Sequence, residues 1–300
     1  MRVSIITPTI DAAIFVDEAI ASVPHDEGAD IEHIIVHDGS AAFVAPLLAR
    51  YPHLKIIQGP GKGPTPAIRL GYASATGDFV IELNSDDRLL PGAIARLVDH
   101  VGAAPDIRIW TGGLRIFRGE PDGTERTLRL VSGRAMTALN FGNVLDDLPL
   151  CNSRFFHRSV IAELGGINAE FPESSDREFV LHALIANISE DYLGMVVAEL
   201  RVHEGSHTLH HKANSIPPYI AEHIRMADYW LGHTGGMASP RAALTSWQAR
   251  ETLRLAVFTW RSGRRAEAMV LIMRAIGRNP AWPLQVISTI TAWRRRRRTG

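Results

Sequence analysis

The chain has 300 residues, 46% of them hydrophobic, with 32 basic and 32 acidic side chains. That length fits one large domain plus an appendage around a well-buried core, and zero net charge leaves no global field to drive nucleic-acid binding. The lone cysteine, Cys151, excludes an intrachain disulfide and a cysteine zinc site, which fits a reducing compartment.

Elements alternate over the first hundred residues. Val3–Thr7 reads as a strand and Ala12–Val23 as a helix, followed by a strand at Ile31–His37 and a helix near Phe43–Tyr51. Leu54–Gln58 is a strand, Pro64–Ala75 a helix with proline in its first turn, Asp78–Leu83 a strand, and Pro91–Val101 a helix. Continuous apolar strands between helices predict a parallel sheet covered on both faces, with right-handed crossovers. Ile107–Thr111, Gly113–Arg118 and Arg126–Val131 then read as strands, with EPDGT at 120–124 as a hairpin turn. Arg154–His157 is a short strand before a helix that ends at Gly165-Gly166. Asp176–Ala186 is helical and Tyr192–His203 is a strand.

Beyond about residue 215 the periodicity is helical throughout: Tyr219–Leu231, Ala242–Trp260, Arg264–Ile276 and Trp282–Trp293. The expected division is 1–212 for the α/β domain and 213–300 for an all-helical extension with a basic tail, Arg294–Arg298. Apolar stretches fall short of the roughly 18–20 residues that span a bilayer. A strand expected from Val3 leaves no room for a signal peptide. The expected location is therefore cytoplasmic, with the arginine run, Trp282 and Trp293 as a peripheral contact for the inner membrane face.

Four polar clusters punctuate this pattern. Thr7-Pro8-Thr9, Asp38-Gly39-Ser40 and Asn84-Ser85-Asp86-Asp87 each follow an apolar run, and Ser174-Ser175-Asp176 comes after the glycine pair. Ligands in open α/β sheets bind outside the carboxyl ends of strands, so three such ends predict a polar, metal-assisted nucleotide site. If Asn84–Asp87 is extended, Asn84 and Asp86 share one face and Asp87 takes the other. Hard cations such as Mg²⁺ and Mn²⁺ use one or two carboxylates plus substrate phosphates. Gly59–Gly63 with Lys62 lacks the spacing of a phosphate loop and reads as a flexible border to the site.

The stretch GYASATGDFVIELNSDDRLLP, Gly71 to Pro91, resembles the central motif of family 2 glycosyltransferases. SIITPTID and IIVHDGS resemble that family's nucleotide-binding segments, and the segment beginning LCNSRFFHRSV resembles its acceptor side. The resemblance runs from about residue 3 to 207 and implies the GT-A fold, a mostly parallel twisted sheet flanked by helices. It implies an inverting glycosyltransferase, dependent on Mn²⁺ or Mg²⁺, that moves a sugar from a nucleotide donor, UDP-linked, to a hydroxyl of a glycan or lipid-linked acceptor. Polysaccharide and cell-envelope synthesis is the matching role. By resemblance Asp38 contacts the base, Thr7, Pro8, Thr9 and Ser85 lie beside the nucleotide, and Asp86 binds the metal. Asn84 stands where the first motif aspartate is usual and becomes a ribose contact; His37 and Asp11 are further departures. Arg69 or Lys62 reaches the diphosphate, His203, with His207 second, reaches the metal, and Asp176 is the general base, with Glu173 and Glu178 as fallbacks. No nucleic-acid partner is expected. The rival readings are a catalytically silent nucleotide-sugar-binding subunit, kept open by Asn84, and a sugar-phosphate nucleotidylyltransferase, disfavoured because Ile10–Val16 lacks a glycine- and arginine-rich signature.

Overall fold

The computed structural model describes residues 1–11, 13–148, 151–206, 217–235, 237–278, 280–284 and 286–287. It contains two compact units, Met1–Ser206 and His207–Gly300.

The first unit is built on β1 (Arg2–Thr9), β2 (Asp30–His37), β3 (Lys55–Gln58), β4 (Phe79–Glu82), β5 (Arg88–Leu89), β6 (Ile109–Gly119), β7 (Glu125–Val131), β8 (Arg154–His157) and β9 (Glu190–Arg201). They form one sheet in the order β3-β2-β1-β4-β8-β6-β9-β5, with β7 paired to β6. The first four strands in that order are parallel, and β8 runs antiparallel to both β4 and β6. Ile5, Ile6, Ile34, Ile35, Val80 and Ile81 are fully buried, as strands covered on both faces require. The covering helices are α1 (Val16–Ala21), α2 (Ala41–Arg50), α3 (Pro64–Ser74), α4 (Ala93–Ala103), α5 (Arg134–Thr137), α6 (Phe141–Asp146), α7 (Arg158–Leu164) and α8 (Ser175–Ile185).

Three expectations change. The helix expected at Ala12–Val23 shrinks to α1, and Asp11, ahead of it, accepts the Ser40 N–H at 3.0 Å. Ile107–Thr111 and Gly113–Arg118 are one strand, β6, whose register against β9 shifts between Thr111 and Leu114. The two-residue β5 was not anticipated. It pairs with β9 through Arg88 and Leu89, more than a hundred residues along the chain.

The second unit contains α9 (Pro218–His233), α10 (Ala238–Arg261) and α11 (Arg265–Arg278). Its interior holds Met226, Leu244 and Trp247 and the carboxylate of Glu251, which meets His223 Nδ1 at 3.1 Å and Arg254 at 2.8 Å. A buried carboxylate needs such partners. Of the helix expected at Trp282–Trp293, residues 282–284 and 286–287 are helical. The rest, including Arg294–Arg298, lies outside the described residues, as do His207, His210 and His211.

Gly71 shows how tightly α3 lies on the sheet. A Cβ there would sit 2.3 Å from Ile6 Cγ2 and 3.3 Å from Val36 Cγ2, both on fully buried residues. Gly71→Ala should therefore lower unfolding free energy by about 1–3 kcal/mol, read as a shifted urea midpoint at unchanged slope.

Candidate active site

Strand order fixes where a ligand crevice lies. The chain moves outward from β1 to β2 and β3, then returns to place β4 on the other side of β1. The crevice of an open α/β sheet opens at such a reversal, at the carboxyl ends of the strands. Here those ends carry Thr9, Asp38 and Asn84–Asp87.

Beyond Glu82 the backbone leaves extended geometry and turns, with Asp87 N–H donating to Asn84 O at 3.1 Å. This corrects the alternation expected for Asn84–Asp87. The turn brings Asn84 to Asp87, its amide donating to Oδ2 at 3.0 Å, and turns Asp86 elsewhere. Asp87 is 2% exposed and also accepts from Asn152 Nδ2 at 3.0 Å and the Arg201 N–H at 2.9 Å. Burial, helped by the neighbouring Asp86, pushes the Asp87 carboxyl up to about 7 against those hydrogen bonds. Asp86 is half-buried and meets His203 Nε2 at 3.0 Å.

That pair is well braced. The Gly205 N–H donates to His203 Nδ1 at 3.1 Å, which leaves the ring proton on Nε2 facing Asp86. Phe15 lies between the His203 ring, 5.1 Å away, and the Arg201 guanidinium, 4.1 Å away. Arg201 Nε donates to the Asp86 carbonyl at 3.1 Å, and its other arm reaches Glu18 on α1.

Asp38 closes the glycine loop. Its carboxylate accepts the backbone N–H groups of Gly61, Lys62 and Gly63 at 2.9, 3.1 and 3.1 Å. Gly59 makes room for it, since a Cβ there would lie 1.9 Å from Oδ1. A carboxylate offers about four acceptor positions, so roughly one remains for a ligand donor. His37 is buried beside it, stacked on Phe43 at 4.6 Å and 3.0 Å from Asp11. Thr7 is fully buried and its hydroxyl pairs with His33 Nε2 at 2.9 Å, so its side chain is occupied inside the sheet. Pro8 is half-buried, the Thr9 hydroxyl makes a long contact with Ile10 O at 3.4 Å, Ser85 is half-buried in the turn, and Arg69 is exposed on α3.

Asp176 opens α8. Thr65, in the first turn of α3, pins that helix by donating to Pro172 O at 2.8 Å and contacting Ser175 Oγ at 3.0 Å. Arg177 fastens the chain beside it, donating to Val144 O and to Asp147 O. Asp176 is half-buried and close enough to Glu82, the last residue of β4, to raise that carboxyl electrostatically. This brings Asp176 to the same sheet edge as Asp86.

Glu82 itself escaped notice in the sequence. It is 3% exposed, accepts the Tyr72 hydroxyl at 2.5 Å, and lies 3.6 Å from Cys151 Sγ. A lone glutamate inside an apolar run was the only available signal. Burial, with a smaller contribution from Asp176, pushes its carboxyl up to about 7. Cys151 is a buried thiol held well above its ordinary range by the same desolvation.

As metal donors, one carboxylate and one imidazole suit an oxygen-preferring ion completed by substrate phosphates, with the nitrogen favouring Mn²⁺ over Mg²⁺. Among the described residues no cluster of three or more potential ligands exists. His203 fits only if Nε2 gives up its proton, since a metal-bound imidazole nitrogen is deprotonated.

Comparison with known proteins gives the class of this chain as a glycosyltransferase. Residues 4–164 match the family model described as glycosyl transferase family 2, and the chain belongs to that family. An uncharacterized glycosyltransferase of Mycobacterium tuberculosis, Rv1514c, is 30% identical over 159 residues, covering 52% of this chain and 58% of the relative. The match thus spans a little over half of that relative's length. A Campylobacter jejuni GalNAc(5)-diNAcBac-PP-undecaprenol beta-1,3-glucosyltransferase is 30% identical over 103 residues, 32% of this chain and 33% of its own. Among solved structures, Staphylococcus aureus TarS 1-349 superposes with a TM-score of 0.61 at 16% identity, covering 92% of this chain and 79% of that one. The mannosyltransferase PcManGT from Pyrobaculum calidifontis, in complex with GDP-Man and Mn²⁺, gives 0.50 at 18% identity over 97% and 80%.

Glu82 gives a pH test. Its folded-state value lies above the ordinary 4.5. The folded protein therefore keeps a proton that the unfolded chain releases between about pH 4.5 and 7, so stability falls as pH rises through that window, by at most about 3 kcal/mol. Glu82→Gln stays neutral throughout and keeps an acceptor for Tyr72. Its stability relative to wild type should rise from pH 5 to pH 8 in urea titrations. An offset that is the same at both values would mean Glu82 does not hold that proton.

Proposed function

We propose that this chain is a metal-dependent inverting glycosyltransferase that takes a UDP-linked sugar and transfers it to a hydroxyl of a glycan or lipid-linked acceptor. The observation that carries this reading is the Asp86–His203 pair at the strand-order reversal, with Asp38 and Asp176 at the same edge. A structural neighbour in complex with UDP-GlcNAc and a relative named for an undecaprenol-linked substrate support the donor and acceptor classes.

In this reading Asp38 takes a base N–H at its remaining acceptor position. Asn84 keeps its side-chain oxygen for a ribose hydroxyl while its amide is tied to Asp87. Pro8, Thr9 and Ser85 line the nucleotide, and Arg69 or Lys62 approaches the diphosphate. Asp86 and His203 would hold Mn²⁺ or Mg²⁺, which when bound neutralises charge on the departing nucleoside diphosphate. Asp176 takes the acceptor hydroxyl proton as that oxygen attacks the anomeric carbon. The bond to the diphosphate breaks on the opposite face, so configuration inverts through an oxocarbenium-like transition state. The arginine run supplies peripheral contact with an anionic membrane.

Asp176→Asn should lower transfer by roughly 10²–10⁴-fold while donor affinity stays within a few-fold. Near-normal turnover would move the base elsewhere. Asp86→Ala should lose the thermal stabilisation that UDP-sugar with Mn²⁺ gives the wild type. Donor hydrolysis that is absent from the wild type, with donor binding retained, would favour the silent binding subunit.

A further inference from the structure

Helix α11 carries apolar side chains well beyond the side that packs. That side, with Ile272, Ala275 and Ile276, packs into a cluster with Ala249, Leu253, Trp282 and Val286. Beyond it lie Met269, Val270 and Met273, which are 50%, 48% and 62% exposed. At about 100° per residue these three span an arc centred roughly 110° round the helix from the packed side, with Met269 next to Ile276, so the apolar surface runs on past what the cluster covers. On α10, Val257 and Trp260 add 41% and 46% exposed surface, and the Arg265 guanidinium lies 5.5 Å from the Trp260 ring. An apolar arc wider than the packed side leaves its remainder open to a further apolar environment.

Charge indicates what covers it. From Phe258 to Gly300 the chain holds ten of its 32 basic residues, all arginine, and one of its 32 acidic residues, Glu267. The rest of the protein is left with 22 basic and 31 acidic side chains. Arg261, Arg264, Arg265 and Arg274 are all exposed around the apolar face, and on the α11 wheel Arg265 and Arg274 fall on its two flanks. Tryptophan and methionine on one side with arginine at the flanks is the composition of a helix that lies in a headgroup layer. A nucleic acid would use the arginines and leave the methionines wet.

We propose that the exposed face of α10 and α11, centred on Met269, Met273 and Trp260, docks on an anionic lipid surface. This rests on the peripheral contact read above for Arg294–Arg298, and transfers its apolar part to a folded face. Apolar side chains enter the headgroup region while the flanking arginines meet lipid phosphates.

The test is co-sedimentation of the full chain with vesicles of phosphatidylcholine containing a third phosphatidylglycerol, against phosphatidylcholine alone. The wild type should partition at least tenfold more strongly onto the anionic vesicles, and less at high salt. Met269→Glu with Met273→Glu should cut that partitioning at least tenfold, with donor hydrolysis and thermal stability unchanged; both sites are exposed, so folding is preserved. Arg261→Ser with Arg274→Ser is the second variant and should weaken binding to anionic vesicles several-fold. A chain lacking 292–300 separates tail from face. If that deletion abolishes binding while the methionine variant binds as wild type does, the proposal fails and the tail alone is the anchor. It also fails if the wild type ignores both vesicles and elutes as a dimer that the methionine variant makes monomeric. Loss of donor hydrolysis in wild type with vesicle binding intact would instead overturn the transferase reading.

Discussion

The buried carboxylate of Asp87 holds the site together. It joins the turn after β4, the turn at Asn152 and the end of β9 through three hydrogen bonds. These segments are 65 and 114 residues apart from it in sequence. A buried carboxylate is costly without such partners, and each donor left unpaired costs about 1–3 kcal/mol. The knot therefore sets the turn, and the turn turns Asp86 toward His203. Arg201 reinforces it from the same strand end, through the Asp86 carbonyl and Glu18. Two adjacent aspartates thus have opposite duties. One is enclosed by donors, and the other is left with a single imidazole and an opening.

A second constraint acts at the start of α8. Thr65 and Arg177 bind the start of α8 to α3 and to the carbonyls at the end of α6. Asp147, whose carbonyl Arg177 holds, is itself clasped by Arg129 from β7 through both carboxylate oxygens. Asp176 is therefore carried by a framework with contacts to α3, α6 and β7. Beneath it, Tyr72, Glu82 and Cys151 form a buried polar floor in which a carboxyl group keeps its proton near neutral pH.

Much of this was legible in the sequence, because the signals were local. Apolar runs such as Val3–Ile6 and Ile34–Val36 need no partner to be read as buried strands, and the polar residues that end them mark the sheet edge. The helical periodicity after residue 217 is equally local. What escaped was set by distance. Asn84–Asp87 was read as extended because alternation is the default after a strand, while the bonds from Asn152 and Arg201 that favour a turn come from far along the chain. β5 exists only through its pairing with β9. α5 and α6, of four and six residues, lie below the length at which periodicity speaks. Glu82 sat in full view, but nothing near it in sequence announces Tyr72 and Cys151 as its partners.

The loop that Asp38 gathers has a further bearing on how such a site fills. Three amides of the 61–63 segment converge on one side chain, so this stretch is held by an acceptor that a ligand donor could also seek. A guest that takes one free lone pair leaves the segment in place. A guest that takes two must release an amide, and the freed backbone then regains its conformational entropy. Any ligand that seeks this carboxylate would thus meet the order of the loop, and how many hydrogens it presents would decide between the two.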